Sequence, residues 1–155
     1  MSSSKKGPSK KGWGLLLLRL MVGFGFAAHG YAKLDRGPEN FAAILSALGV
    51  PCPLLTAWAT SFLEFFGGIC LMAGAFVVPL SLPLGVVMLT ALFTVHLPNG
   101  FSTIKLKAVT FSGAEFGAPG YEINLLYLAC LAVLVMEGGG ILSADHWLFP
   151  KRKIS

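Results

Sequence analysis

Four long apolar stretches run along the chain, and each contains a few ionisable residues. They cover Trp13–Leu34, Pro53–Val78, Leu80–Leu97 and Tyr121–Ile141. A helix needs about 20 apolar residues to cross roughly 30 Å of hydrocarbon. Backbone polar groups inside lipid must be satisfied internally, and four stretches are too few to close a barrel. The pattern therefore predicts an all-α, polytopic membrane protein built as a four-transmembrane-helix bundle.

The connection between the first two stretches contains a shorter amphipathic segment. Pro38 suits the first turn of a helix, and apolar residues then recur at helical spacing at Phe41, Ile44, Leu45 and Leu48. An amphipathic helix of this kind lies in the plane of the membrane surface. We therefore expect a short amphipathic helix between spans one and two.

Two other connections carry local signals. Pro79 and Pro83 predict a tight turn between spans two and three, with Pro83 in the first turn of its helix, where proline is tolerated. Residues 98–120 form the longest connection, and connections of this length are often functional. It has room for a short hairpin beginning with Lys105–Phe111.

Composition and charge support a membrane protein. Hydrophobic residues make up 55% of the chain and charged residues 12%, against about a quarter charged in soluble domains. We expect one membrane domain, residues 13–148, between a basic disordered tail (1–12) and a basic tail (149–155). The net charge of +5 comes largely from lysines and arginines in these tails. Basic ends place both termini in the cytoplasm, so nucleic acid is not the expected partner.

The ionisable residues inside the spans are the candidate chemistry. A charge at the bilayer centre costs about 2.5–3.5 kcal/mol on insertion scales, so such residues are normally paired or functional. With the N-terminus inside, His29, His96 and Glu122 fall near the outer end of the bundle, and Glu64 lies one to two turns deeper. Arg19 lies about two turns from the cytoplasmic end of span one.

Helical phase indicates which spans approach each other. Gly67 and Gly68 follow Glu64 at the next turn, and Arg19 shares a face with Gly23, Ala27 and Gly30. Small residues let helix backbones come close. A close pair of spans one and two brings Glu64 within reach of Arg19 or His29, and the simplest stabilising arrangement is an Arg19–Glu64 ion pair.

Two functional interpretations compete with that pairing. The side chains of His29, Glu64, His96 and Glu122 could bind a metal such as zinc or iron, although no local metal motif is present. The same groups could relay protons to a quinone, since histidine and glutamate are suitable relay groups. The sequence has no haem, Fe–S or dinucleotide motif of its own.

Five stretches in order resemble the DoxX family of small four-helix membrane proteins. They are the span of Arg19 running into His29–Leu34, then Phe62–Gly68, His96–Phe101, Gly120–Tyr127 and the glycine-rich close Gly138–Asp145. The similarity covers about residues 14–146. The chain departs from the family at Val77-Val78-Pro79, where relatives often carry a Thr-Arg inner turn.

The resemblance implies a bacterial or archaeal cytoplasmic-membrane protein linked to quinone-dependent redox chemistry and electron transport. It also implies an intramembrane polar set, hereafter the polar set, at Arg19, His29, Lys33, Glu64, His96 and Glu122. The functional expectation is a subunit of a quinone-linked redox complex with protein partners in the bilayer. A non-catalytic accessory or assembly subunit of a respiratory or photosynthetic complex is an alternative, and a small transporter is a second.

Overall fold

The computed structural model of the protein describes residues 10–148, which are mostly helical. In chain order the elements are α1 (Lys10–Asp35), α2 (Pro38–Ala47), α3 (Pro53–Ala73), α4 (Val77–Ala91), β1 (Leu106–Thr110), β2 (Gly113–Phe116), α5 (Glu122–Glu137) and α6 (Ala144–Leu148). A π-helical turn, Leu92–His96, and a 3-10 turn, Leu97–Asn99, extend α4. Residues 10–12 already belong to α1 and not to the predicted tail. The rest of that tail and the tail at 149–155 lie outside the described residues.

Three helical segments in the described part of the chain are long and apolar enough to cross a membrane. They are Gly12–Asp35, Pro53–Ala73 and Val77–Asn99. The predicted fourth span contains α5, which has 16 residues and therefore covers about 24 Å. Its predicted end, residues 138–141, is irregular chain. A mostly helical protein with three candidate membrane-spanning helices is thus observed, and the four-span arrangement stays a prediction.

Helices α1 and α3 approach each other closely because small residues line their contact. A Cβ atom on Gly23 would lie 2.6 Å from the carbonyl oxygen of Gly68. A Cβ atom on Gly30 would overlap the backbone of Phe65, and one on Gly68 would overlap that of Ala27. The close approach expected from these glycines is present, and it fixes which face of α1 meets Glu64.

The turn between α3 and α4 differs from the prediction. It comes immediately before Val77, earlier than Pro79 and Pro83 indicated, and Pro83 lies inside α4. The carboxylate of Asp145 accepts hydrogen bonds from the backbone N–H groups of Phe76 (2.6 Å) and Val77 (2.9 Å). A side chain distant in sequence therefore caps α4, which no local pattern reveals.

Helix α2 lies between α1 and α3 and packs on α3, and its amphipathic character stays a prediction. Ala42 and Leu45 are buried together with Ala57 of α3, and Phe41 and Val50 are partly buried beside them. This contact holds one apolar side of α2 against the first turns of α3. A location of α2 at the membrane surface stays a prediction.

The long connection carries an antiparallel hairpin formed by β1 and β2. The strands pair from Leu106 opposite Phe116 to Thr110 opposite Gly113, with an irregularity at Lys107. All of the strand residues are exposed.

The main core lies between α1, α3, α4 and α5. It contains Val22, Phe26, Leu71, Val77, Leu84, Leu131 and Leu134. The core holds the four helices around a cavity that lies on the side of α2.

Candidate functional site

A cavity of about 640 Å³ is enclosed by α1 to α5. Most of its lining is apolar and includes Phe41, Ile44 and Leu45 of α2 and Leu48, which directly follows α2. The polar and aromatic lining comes from α1, α3, the extended α4 and α5: His29, Lys33, Thr56, Thr60, Glu64, Thr90, Thr94, His96, Asn124 and Tyr127. An apolar cavity with a few convergent polar groups is the usual form of a small-molecule site.

The buried charge of the cavity is an ion pair between α1 and α3. The Nζ atom of Lys33 lies 2.7 Å from Oε1 and 2.6 Å from Oε2 of Glu64. The Glu64 side chain is 2% exposed and that of Lys33 is 24% exposed. The same ammonium lies 4.5 Å from the centre of the Phe41 ring, a cation–π contact. Glu64 is therefore held as a paired carboxylate at the wall of the cavity.

The predicted Arg19–Glu64 ion pair is wrong. Arg19 and Lys33 are 14 positions apart on α1, a rise of about 21 Å, and Glu64 meets the end of the helix that carries Lys33. The flexible lysine stem reaches along the α1–α3 contact, which glycines keep narrow. Helical phase indicated only Arg19 or His29 as the partner of Glu64, because it does not take the length of the lysine side chain into account.

Arg19 is buried in a different place. Its guanidinium group donates hydrogen bonds to the carbonyl oxygens of Gly139 (2.6 Å), Ile141 (3.2 Å) and Leu142 (2.6 Å). The side chain is 1% exposed, and its Nε has no hydrogen-bond partner. Carbonyl dipoles thus stabilise the buried charge, and Arg19 anchors the segment that follows α5 instead of lining the cavity.

His96 enters the cavity wall from the π-helical turn that extends α4. Such turns often occur at functional sites. The Nδ1 atom of His96 lies 3.1 Å from the carbonyl oxygen of Pro119. A carbonyl oxygen only accepts, so Nδ1 is the donor of this hydrogen bond, and the bond does not involve Nε2.

The two remaining members of the polar set, His29 and Glu122, lie in different places. His29 is exposed and lines the cavity on the α1 side. Glu122 does not line it: its Oε2 accepts a hydrogen bond from the backbone N–H of Thr103 at 3.1 Å. The structure therefore brings together His29, Lys33, Glu64 and His96, and places Arg19 and Glu122 elsewhere.

Two further cavity residues from α5 were not predicted. Asn124 is buried, and its amide nitrogen is 3.4 Å from the carbonyl oxygen of Met88. Tyr127 packs edge-on against Phe26 with ring centres 5.2 Å apart, and its hydroxyl fills the space that a side chain on Gly25 would occupy. An asparagine inside an apolar span is a signal that could have identified the first.

A metal centre is not formed by these side chains. Across residues 10–148, no three His, Cys, Asp or Glu side chains come together as metal ligands would. The weak metal interpretation of His29, Glu64, His96 and Glu122 has no geometric support, because Glu122 points to the long connection and Glu64 is paired with Lys33.

Comparison with known proteins shows the family to which the chain belongs. The sequence profile of the DoxX family matches residues 14–97, which is more than half of the 155 residues. The chain belongs to the DoxX family. DoxX is a membrane family, in agreement with the three candidate spans. The matched segment contains every histidine, lysine and glutamate of the cavity lining: His29, Lys33, Glu64 and His96.

Two relatives of this DoxX protein extend over nearly its whole length. It is 28% identical over 140 residues to a protein of Bacillus subtilis (strain 168) named "Putative oxidoreductase CatD", with 90% of each chain covered. It is 29% identical over 137 residues to an "Uncharacterized protein" of Haemophilus influenzae (strain ATCC 51907 / DSM 11121 / KW20 / Rd), covering 88% of this chain and 92% of the relative. No solved structure matches the chain significantly.

Proposed function

We propose that this DoxX protein is the membrane subunit of a quinone-linked redox complex and that its cavity holds the quinone ring. One observation carries the proposal: the Lys33–Glu64 pair and the His96 ring face an apolar cavity between helices long enough to span a membrane. The Bacillus relative, which is 28% identical to this chain, is named an oxidoreductase, and this name adds support.

The cavity suits the two chemical parts of such a ligand. Quinone carbonyls accept hydrogen bonds, which the ammonium of Lys33 and a protonated His96 can donate. The isoprenoid tail is apolar, like the walls that α2 and α4 supply. Reduction to the quinol adds two electrons and two protons. The electrons would come from a redox-active partner subunit, and Glu64 and His96 would pass the protons.

The membrane arrangement that accompanies this function is also a proposal. Helix α5 packs through Leu131 and Leu134 into the core shared with α1, α3 and α4, as expected of a fourth span. Helix α2 would lie at the membrane surface. The basic residues of the sequence ends favour both termini in the cytoplasm of a bacterium or archaeon. Residues 13–148 then form one domain in the inner membrane.

Equilibrium binding of a radiolabelled short-chain quinone to the full chain in lipid nanodiscs tests the proposal. We expect saturable binding at one quinone per chain. His96→Ala should weaken it about tenfold, the equivalent of about 1.4 kcal/mol, through loss of a hydrogen-bonding group. Glu64→Gln should also weaken it, and Glu39→Gln, an exposed glutamate outside the cavity lining, is the matched control. Non-saturable partitioning, or equal affinity in all variants, would overturn the proposal.

The partner is tested separately by native mass spectrometry of the gently solubilised complex. A stoichiometric redox subunit supports electron transfer through a partner. A stable complex that holds neither a redox subunit nor a quinone would favour the accessory role instead. Substrate-dependent flux in liposomes of the pure chain would favour transport.

A further inference from the structure

The hairpin between α4 and α5 has two chemically different faces. We call residues Leu106–Phe116 the arm. Residues paired across a ladder share a face, and successive residues alternate. The pairs Leu106–Phe116 and Val109–Ala114 therefore form one face, the apolar face, and the pairs Ala108–Glu115 and Thr110–Gly113 form the other.

The apolar face is open to the surroundings. Leu106 and Phe116 are each 60% exposed, Val109 is 76% exposed, and Phe111 at the tip is fully exposed. A two-stranded hairpin is at best marginally stable by itself in water. An environment that covers the apolar face would supply the missing stabilisation.

The base of the arm is fixed to the helices. The backbone N–H of Glu122, the first residue of α5, donates to the carbonyl oxygen of Phe101 at 3.0 Å, and that of Gly117 closes the hairpin by donating to the carbonyl oxygen of Lys105 at 2.8 Å. The Glu122 carboxylate in turn accepts from the N–H of Thr103. The arm therefore leaves the helices at a defined place, directly after the candidate span that ends at Asn99.

Exposed apolar residues also follow one another along the chain from that span to the arm. Phe93 is 63% exposed, and the run continues through Phe101 (55%) and Ile104 (75%) to Leu106. If lipid covers Phe93 on the span, the exposed apolar residues that follow it along the chain bring the arm next to the same bilayer. Residues 98–120 also carry Lys105 and Lys107 against the single acid Glu115, and ammonium groups at this position can interact with phospholipid phosphates.

We infer that the arm is a membrane-surface anchor whose apolar face and Phe111 enter the boundary between lipid headgroups and acyl chains. The occupant of the apolar face is the bilayer that holds α4, and Glu115 on the opposite face stays in water. The lysine stems can lie along the lipid while their ammonium groups reach the headgroups. This inference depends on the membrane location of α4 and not on a quinone in the cavity.

Site-specific fluorescence on the full chain in nanodiscs tests the inference. Cys52, Cys70 and Cys130 are replaced by alanine, and Val109→Cys, Phe111→Cys or Glu115→Cys then carries an environment-sensitive dye. We expect blue-shifted emission at positions 109 and 111. We also expect quenching by lipids spin-labelled near the headgroup at least roughly twofold stronger there than at the control position 115. Aqueous iodide should quench position 115 most.

Two outcomes would overturn it. Equal iodide quenching at all three positions would show an arm free in water. Dyes at 109 and 111 shielded from both iodide and lipid spin labels would show that protein covers the apolar face. Thermal unfolding of each labelled variant close to that of the cysteine-free parent establishes that the fold is intact.

Discussion

The Nζ atom of Lys33 lies within 2.7 Å of both carboxylate oxygens of Glu64 and joins α1 to α3 at the wall of the cavity. The carboxylate is almost fully buried, while the lysine is about one quarter exposed. Buried ion pairs add little net stability, but removal of one partner leaves an uncompensated charge. The stability of the fold should therefore fall more when one member of the pair is removed than when both are removed.

We expect Lys33→Met to lower the free energy of unfolding by about 3 kcal/mol or more, because Glu64 then stays buried without a partner. Glu64→Gln should destabilise through the unpaired ammonium. The double variant, Lys33→Met with Glu64→Gln, should be more stable than the sum of the single effects predicts. Denaturant unfolding in mild detergent measures all three. Strictly additive effects would show that the two side chains are not coupled.

The α1–α3 contact gives a second prediction. Gly68→Ala should destabilise the protein by about 1–3 kcal/mol, because the new methyl group overlaps the backbone of Ala27. Gly85→Ala is the matched control, since a Cβ atom there meets open space in a helix. It should be neutral or stabilising by up to about 1 kcal/mol. If both variants have the same melting temperature, close glycine packing does not hold the two helices together.

Much of the helical frame could be predicted from the sequence, because apolar run length and glycine spacing are local properties. Helix α1, the place of α2 and the glycine contact of α1 with α3 follow from such patterns. The hairpin also lies where the loop composition allowed it. The position of the turn before Val77 could not be predicted in this way, because Asp145, which caps the start of α4, is distant in sequence.

The candidate site was less predictable for the same reason. Arg19 donates hydrogen bonds to backbone carbonyl oxygens more than 100 positions away in sequence. Every residue has such a carbonyl group, so the pattern of side chains cannot identify these partners. Lys33 entered the polar set only through the family resemblance. Its pairing with Glu64 could not be predicted, because it depends on how far the lysine side chain reaches along the helix. Glu122 is an ionisable residue in a predicted span and was therefore expected in the site, but its carboxylate holds the base of the arm.

The role of Arg19 gives a third prediction. Arg19→Met removes all three bonds to the segment after α5, so amide hydrogen exchange in residues 139–145 should accelerate about tenfold or more. Arg19→Lys keeps the charge but loses the planar fork and should give an intermediate rate. Exchange in α2 serves as the internal reference. Unchanged protection at 139–145 in Arg19→Met would show that Arg19 does not anchor this segment.

Photolabelling with an azidoquinone, followed by peptide mass spectrometry, tests the central claim most directly. In nanodiscs of the wild-type chain we predict that the label attaches to peptides containing residues 29–33, 60–64 or 86–96, which line the cavity. Excess unlabelled quinone should abolish this labelling, and His96→Ala should reduce it. Label confined to exposed positions outside the cavity lining, such as Phe24, Leu55 and Met136, or insensitive to competition, would contradict a quinone site in the cavity.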